Sequence, residues 1–538
     1  MKEVRRDFLR FAGLGMATGA TVLIADSAQG KNPGKSVQTS AKAPVFFDVR
    51  MYGATGDGKT IDSPAINAAI DAATVAGGGT VVFPAGVYAC YSIHLKSFVA
   101  LYLQQGATIL AAPTPYEGMS SGGYDAAEPQ GAWEPYQDYG HNHWHNSLMW
   151  GEGIHDFGVF GPGLIWGKGL SRGHNEKVLP DTTQPGVANK AIALKNCHNV
   201  ILSDFSILQG GWFGILATGV DNLTIDNLKI DTNRDGMDID CCRNVRVSNC
   251  TVNSPWDDGV CPKSSFALGY ARATENVTIS NCYLTGDYQL GSVLDGTWKR
   301  MDPSLGRGAT GRIKCGTESN GGFRNITISN CVFESCRGIA LETVDGALCE
   351  DITIVGVTMR DVRHSPFFLR LGSRMRGPKD APVGTLKRIL ISNITSQGAD
   401  TLPSILSGVP GHLIEDIKIS DVYLRQMGGG SLDLAARKPP ENEDHYPEPT
   451  MFGELPACGL FIRNVRNLEA SNVEIATEKP DARPAFWLNN VDGADFFRIK
   501  TPRNVAPVFR LQQVEDFRSF GCKPLADAFF AHSDQRDI

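Results

Sequence analysis

Asn222-Leu223-Thr224-Ile225-Asp226-Asn227 returns as Asn244-Val245-Arg246-Val247-Ser248-Asn249, as Asn276-Val277-Thr278-Ile279-Ser280-Asn281 and as Asn325-Ile326-Thr327-Ile328-Ser329-Asn330. In each copy two aliphatic residues flank a spacer. Side chains at alternate positions share one face of a strand, so each copy reads as a short strand with one buried face. Altered copies start at Asn199, Asp351, Asp416 and Asn467, and the steps 199→222→244 are 23 and 22 residues. Later steps are longer, as insertions between turns make them. One such coil cannot bury its apolar face alone, whereas stacked coils bury it together, so the period marks a solenoid. The Leu-x-x-Leu-x-Leu frame of leucine-rich repeats is absent. The expected fold is all-β, a right-handed parallel β-helix with its main coils at about 150–510, and the repeated Asn fits a stacked ladder at a turn.

An open coil end exposes unpaired strand edges and needs a cover. Ser63-Pro64-Ala65-Ile66-Asn67-Ala68-Ala69-Ile70 reads as a capping helix, with Ser or Asp at the N-cap and Pro in the first turn. Gly77-Gly78-Gly79-Thr80-Val81-Val82-Phe83 follows as turn and strand. The 59 glycines in 538 residues favour a turn-rich β architecture. The composition excludes a disordered chain and a polytopic membrane protein. A net charge of -7 without a long basic block disfavours a nucleic-acid partner.

Residues 1–30 read as an export leader: Arg5-Arg6 precedes a modest apolar run from Phe11 to Ala25, the pattern of a twin-arginine signal. A linker at 31–44 and one domain at 45–538 follow, giving an exported protein with no membrane segment in its mature form. The 13 cysteines are odd in number. Cys250, Cys282 and Cys331 each follow Ser-Asn in the repeat, as buried thiols stacked in a ladder would. A bridge such as Cys336 to Cys349 stays open. No metal-ligand spacing is present.

The densest acidic cluster is Asp235-Gly236-Met237-Asp238-Ile239-Asp240, followed by Asp257-Asp258. Asp235 and Asp257 are 22 residues apart, one coil, so they stack about 5 Å from each other. Crowded carboxylates separate their pKa values, giving a proton donor beside ionised bases, which glycosidic hydrolysis needs. A solvated turn or a calcium site would produce the same cluster.

These residues resemble glycoside hydrolase family 28, the polygalacturonases and their relatives. That family carries Asn-Thr-Asp-Gly-x-Asp and, some twenty residues on, Asp-Asp with Lys/Asn-Ser. Here stand Asn233-Arg234-Asp235-Gly236-Met237-Asp238 and Asp257-Asp258 with Lys263-Ser264. The opening Asp48-Val49-Arg50-Met51-Tyr52-Gly53-Ala54-Thr55-Gly56-Asp57-Gly58 also matches, as it does in other β-helix proteins. The resemblance implies inverting hydrolysis without a metal or other cofactor. It implies Asp257 as general acid, Asp235 and Asp258 as holders and activators of the water, and Asn233 as a positioning group. Inversion calls for carboxyl groups about 6.5–9.5 Å apart.

The sequence departs from that family at three places. Arg234 replaces Thr and is free to face solvent or substrate. The Gly-His-Gly phrase is replaced by Gly311-Arg312-Ile313-Lys314-Cys315-Gly316-Thr317-Glu318, without His. Ala340 and Glu342 stand where the family's carboxylate-binding cations belong. Arg312 and Lys314 either replace those cations from the neighbouring coil or leave Glu342 to disfavour a uronate. Asp238, Lys263, Arg312, Lys314 and Glu342 join Asn233 as candidate substrate-binding residues.

Three loops lie outside the repeat. Trp133–His145 offers aromatic rings and His for sugar stacking or cleft closure, or packs its own aromatics against the helix; a three-His metal site is the lesser alternative. Pro366–Arg376 carries three Arg that either flank the cleft or, as the safer reading, form a solvated loop, and 426–458 reads as a long loop. The expected activity is hydrolysis of a pectic or related polysaccharide or oligosaccharide, with exo-action favoured if the first loop closes the cleft. The rivals are a hydrolase of another glycan such as rhamnogalacturonan, a calcium-dependent lyase, and a carbohydrate-binding β-helix without turnover.

Overall fold

Leu223, Val245, Val277 and Ile326 stand opposite one another on successive coils, and all four are buried. The structure is a computed structural model describing residues 45–113, 123–129, 131–138, 140–171, 185–302, 304, 309–502 and 507–538. Burying one such side chain is worth about 1.5–3 kcal/mol, and every coil contributes several. The repeated Asn lies outside this column. Asn222 Nδ2 donates to Asn199 Oδ1 at 3.0 Å, Asn244 to Asn222 at 3.3 Å, Asn276 to Asn244 at 3.1 Å and Asn325 to Asn276 at 2.7 Å. All five take φ between 54° and 58°, a left-handed conformation that Asn tolerates better than other L-residues. The Asn of the phrase is thus both the corner and the ladder.

The coils form three parallel sheets. The second contains His198–Ser203, Asp221–Asp226, Arg243–Ser248, Thr274–Ser280 and Phe323–Ser329. The third contains Ser206–Leu208, Lys229–Asp231, Thr251–Asn253, Tyr283–Thr285 and Val332–Glu334. The first carries the acidic motifs and passes through Phe213–Thr218 to β1 (Asp235–Asp240), β2 (Val260–Lys263), β3 (Ile313–Cys315) and β4 (Arg337–Thr343). Parallel pairing starts at Phe46–Asp48 on Gly79–Phe83 and reaches Phe509–Phe520, so the coils extend past both ends of 150–510. Ala528–Asp537 pairs antiparallel with Phe509–Phe520 and covers that edge.

The expected helix is α1 (Ser63–Val75). It presents Ile66, Ala69, Ile70 and Ala73 to the first coil, all buried. Asp62 occupies the N-cap without capping: its carboxylate instead accepts from the Thr55 and Gly56 amides at 2.8 and 3.0 Å. Ser63 accepts from the Tyr91 amide at 2.9 Å. All 13 cysteines are free and buried, so Cys336 and Cys349 form no bridge. The leader and linker lie outside the described residues, while Pro44–Ile538 forms one compact unit. Among the described residues no helix is long and apolar enough to cross a membrane.

Candidate active site

On the outward face of the first sheet, Leu216, Asp238, Cys261, Lys314 and Ala340 share one row, which continues into Phe368, Ile405, Phe461 and Trp487. Apolar clusters cover both ends of the row. Trp144 and Ala267 close over Leu216 and Phe213 on one side. Phe452 and Leu455 close over Ala340, Phe368 and Phe461 on the other. Charged side chains are gathered between the two covers.

β1 starts at Asp235, and the Asp257-Asp258 pair sits on the turn entering β2. The Gly236 amide donates to the Asp258 carbonyl at 2.9 Å. A Cβ on Gly236 would lie 2.3 Å from the Gly259 carbonyl, so only glycine lets the coils approach this closely here. One oxygen from each of Asp235, Asp257 and Asp258 lies within 4.8 Å of the others. The coil spacing brings the three together as expected. Such a trio also has the spread of a cation site. Here Arg234, Arg312 and Lys314 already set positive charge against two of its members.

The environments separate the three carboxyls. Burial, then the charges of Asp257 and Asp238, pushes Asp235 well above the carboxylate range. Burial also raises Asp257, against the pull of Arg234. Burial alone would raise Asp258, but Arg312 and Lys314 overcome it and hold that carboxyl far below its ordinary value. Arg312 Nε donates to Asp258 Oδ1 at 2.6 Å, and Lys314 Nζ pairs with Oδ2. Arg234 faces neither open solvent nor an empty cleft: its Nη2 donates to Asp257 Oδ2 at 2.6 Å, and its guanidinium lies 4.4 Å from the Trp212 ring centre. The Asp258 amide donates to the other Asp257 oxygen at 3.1 Å. Asn233 is buried just ahead of them, with Oδ1 unpaired.

Lys263 lies behind this trio, 3.1 Å from Glu318 and 3.9 Å from Asp238. His141, from the aromatic loop, places Nε2 2.9 Å from Asp238 Oδ2 and Nδ1 2.9 Å from the Asp138 carbonyl. A carbonyl only accepts, so Nδ1 carries a proton. The Nε2 contact then needs either an imidazolium or a protonated Asp238. Burial would lower the His141 pKa, but Glu318 and Asp238 outweigh it and raise it. The loop's aromatics pack on the coils rather than on α1: Trp144 beside Leu216, and Tyr136 edge-on to Phe266. His141, His143 and His145 each face different carboxylates, Asp238, Glu134 and Glu152, so they do not converge on one ion. The Pro366–Arg376 segment is not a solvated loop: Arg370 is fully buried, Arg374 pairs with Asp345, and Arg376 donates to Glu318 at 2.8 Å.

The 426–458 loop crosses the far side of the site. Glu448, for which the sequence offers no motif, accepts from Arg312 Nη2 at 2.5 Å and Arg337 Nη1 at 3.0 Å. Arg312 and Lys314 do face the site, but both are buried and paired with the protein's own carboxylates. Glu342 is fully buried with neither oxygen hydrogen-bonded, and burial pushes it up to about 8 despite Arg312 and Lys314. Glu318, Glu448, Arg337, Arg376 and His141 were not singled out as site residues from the sequence. Glu318 closes the phrase that replaces Gly-His-Gly, and His141 lies in the aromatic loop. Nothing in the sequence marks Glu448.

Residues 46–108 match the family described as rhamnogalacturonase A/epimerase, pectate lyase-like, and residues 181–297 match the right handed beta helix region. A probable polygalacturonase of Vitis vinifera is 24% identical over 466 residues, which are 79% of this chain and 84% of that protein. A mannuronan C5-epimerase of Azotobacter vinelandii is 60% identical over only 45 residues, 8% of this chain and 3% of the epimerase. Among solved structures, the family 28 exopolygalacturonase of Yersinia enterocolitica aligns at 18% identity and TM-score 0.61, over 86% of this chain and 79% of that one. That likeness establishes the shared fold. With the match along four-fifths of its length, the chain is a right-handed parallel β-helix protein that resembles glycoside hydrolase family 28 and its polygalacturonases.

Proposed function

We propose that the chain hydrolyses a glycosidic bond of a pectic polysaccharide from a chain end, with Asp257, Asp235 and Asp258 at the reacting atoms. The observation carrying this reading is the gathering of three carboxyls with an oxygen each within 4.8 Å, two raised by burial and the third pinned by Arg312 and Lys314. The charge of Asp257 raises Asp235, so the two carboxyls are not both ionised. Asp257 is the more open, with 24% of its side chain exposed, and gives a proton to the leaving oxygen. Asp235, then ionised, takes a proton from the attacking water as the new C–O bond forms and the glycosidic one breaks. Asp258, pinned by Arg312 and Lys314, orients the water.

A carboxylate nucleophile is disfavoured although the trio is close. Asp258 has both oxygens held in ion pairs, and Asp235 is buried. Water attack gives inversion. Asn233, Asp238 and Lys263 form the buried wall that keeps the trio in place, and Arg312 and Lys314 act on Asp258 rather than on the substrate. Leu216 and Ala340, each under apolar cover, are four strand spacings apart, about 19 Å, room for a few sugar units. This supports action at a chain end. The paired arginines of the leader support an exported enzyme.

The test is release of reducing ends from polygalacturonate, rhamnogalacturonan and neutral pectic side chains, with and without EDTA, alongside Asp257→Asn. EDTA-resistant release of small products that the variant loses is expected. Release that EDTA abolishes, or that survives in Asp257→Asn, contradicts the reading.

A further inference from the structure

We propose that the sugar unit seated beside β3 and β4 is uncharged, either a neutral sugar or a methyl-esterified uronate. This rests on the hydrolase reading of the site. The cations acting on Glu448 are Arg312, Arg337 and Lys314. Arg312 donates from Nε to Asp258 at 2.6 Å and from Nη2 to Glu448 at 2.5 Å. Lys314 pairs with Asp258, and Arg337 donates to Glu448 at 3.0 Å. The carboxylate that Arg312 and Arg337 would bind in a uronate is therefore already present, supplied by the protein as Glu448. A second carboxyl, Glu342, lies among the same cations, fully buried with neither oxygen hydrogen-bonded.

Glu448 is not a placeholder that a substrate pushes aside. Arg370 donates to the carbonyls of Glu441 and Asn442 at 3.0 and 3.1 Å. Arg463 donates to those of Pro439 and Pro440, both at 2.9 Å. Phe452 packs against both guanidinium groups, 5.3 and 5.1 Å from its ring centre. Two buried arginines and a buried ring thus tie the loop down on either side of Glu448. A uronate carboxylate arriving beside it would meet the Glu448 and Asp258 charges in a low-dielectric setting with Arg312 and Lys314 already held by them, a costly arrangement. An ester or a neutral sugar brings no such charge.

The experiment compares short galacturonan oligomers as free acid, the same oligomers fully methyl-esterified, and a neutral galactan oligomer, on wild type and Glu448→Gln. Wild type is expected to favour one of the two uncharged substrates over the free acid by at least tenfold in kcat/KM. Which one it favours identifies the source. Glu448→Gln, which removes the charge facing Arg337 and the Arg312 Nη groups, is expected to move the ratio at least tenfold toward the free acid. Calorimetric binding of the same oligomers to Asp257→Asn, with the loop intact, repeats the comparison without turnover or the Glu448 substitution, and the uncharged ligand is expected to bind more tightly. Equal or better use of the free acid by wild type, an unchanged ratio in Glu448→Gln, or tighter binding of the free acid overturns the proposal while leaving the hydrolase reading intact. If wild type turns over neither these oligomers nor rhamnogalacturonan and the neutral pectic side chains while binding still favours the uncharged oligomer, the hydrolase reading fails and the preference stands.

Discussion

Arg234 Nη2 donates to Asp257 Oδ2 at 2.6 Å while its guanidinium lies on the face of Trp212. One side chain thus fixes the rotamer of the carboxyl assigned as proton donor and moderates its pKa. With the charge removed in Arg234→Gln, Asp257 holds its proton to higher pH. The alkaline limb of the kcat/KM profile should move up by about one unit, and kcat should fall because the carboxyl is less well positioned. An unmoved limb would mean that another group sets it.

Lys314→Met tests the ionised member. Asp258 has a depressed pKa, so its ion pairs stabilise the fold above the ordinary carboxylate pKa, and that contribution is lost as pH falls through the depressed value. Removing Lys314 leaves Arg312 alone against Asp258. The acid limb of activity should move up, and the melting temperature should drop more at pH 5 than at pH 2. An equal drop at both would point to lost packing alone.

Glu342 has the opposite sign. Its pKa in the fold is about 8, against an ordinary value of about 4.3. Between those values the folded state holds a proton that the unfolded chain releases, so stability falls as pH rises across that window. Glu342→Gln removes this dependence. It should melt above wild type at pH 8 and close to it at pH 5, in thermal scans at the two pH values. A variant that melts lower at both would show that the carboxyl makes a stabilising contact.

All 13 thiols are buried and unbridged, and burial raises several of them, Cys315 to about 12. Native protein should react slowly with a thiol reagent, and all 13 should react in denaturant. A reducing agent should leave the melting temperature unchanged. Rapid labelling of the folded protein, or a drop in melting temperature on reduction, would contradict this.

The fold was legible because its cause is local. The Asn222, Asn244, Asn276 and Asn325 phrases each encode strand, corner and ladder within six residues. The Asp235–Asp257 juxtaposition was legible for the same reason, as a separation of one coil is a short distance in space. Other contacts depend on loops without a period. His141 reaches Asp238 across 97 residues and Glu448 reaches Arg312 across 136, and no spacing rule links such pairs. Arg374 and Arg376 looked solvated because Asp345 and Glu318, which pair with them, belong to other coils.

The most direct measurement follows the first product by proton NMR on a pectic oligosaccharide that the enzyme cleaves, with Asp257→Asn in parallel. The account predicts a saturated reducing sugar released from one chain end, first seen with its anomeric configuration inverted, and no release by the variant. A retained anomer, an unsaturated product absorbing in the ultraviolet, or undiminished release by Asp257→Asn would contradict it.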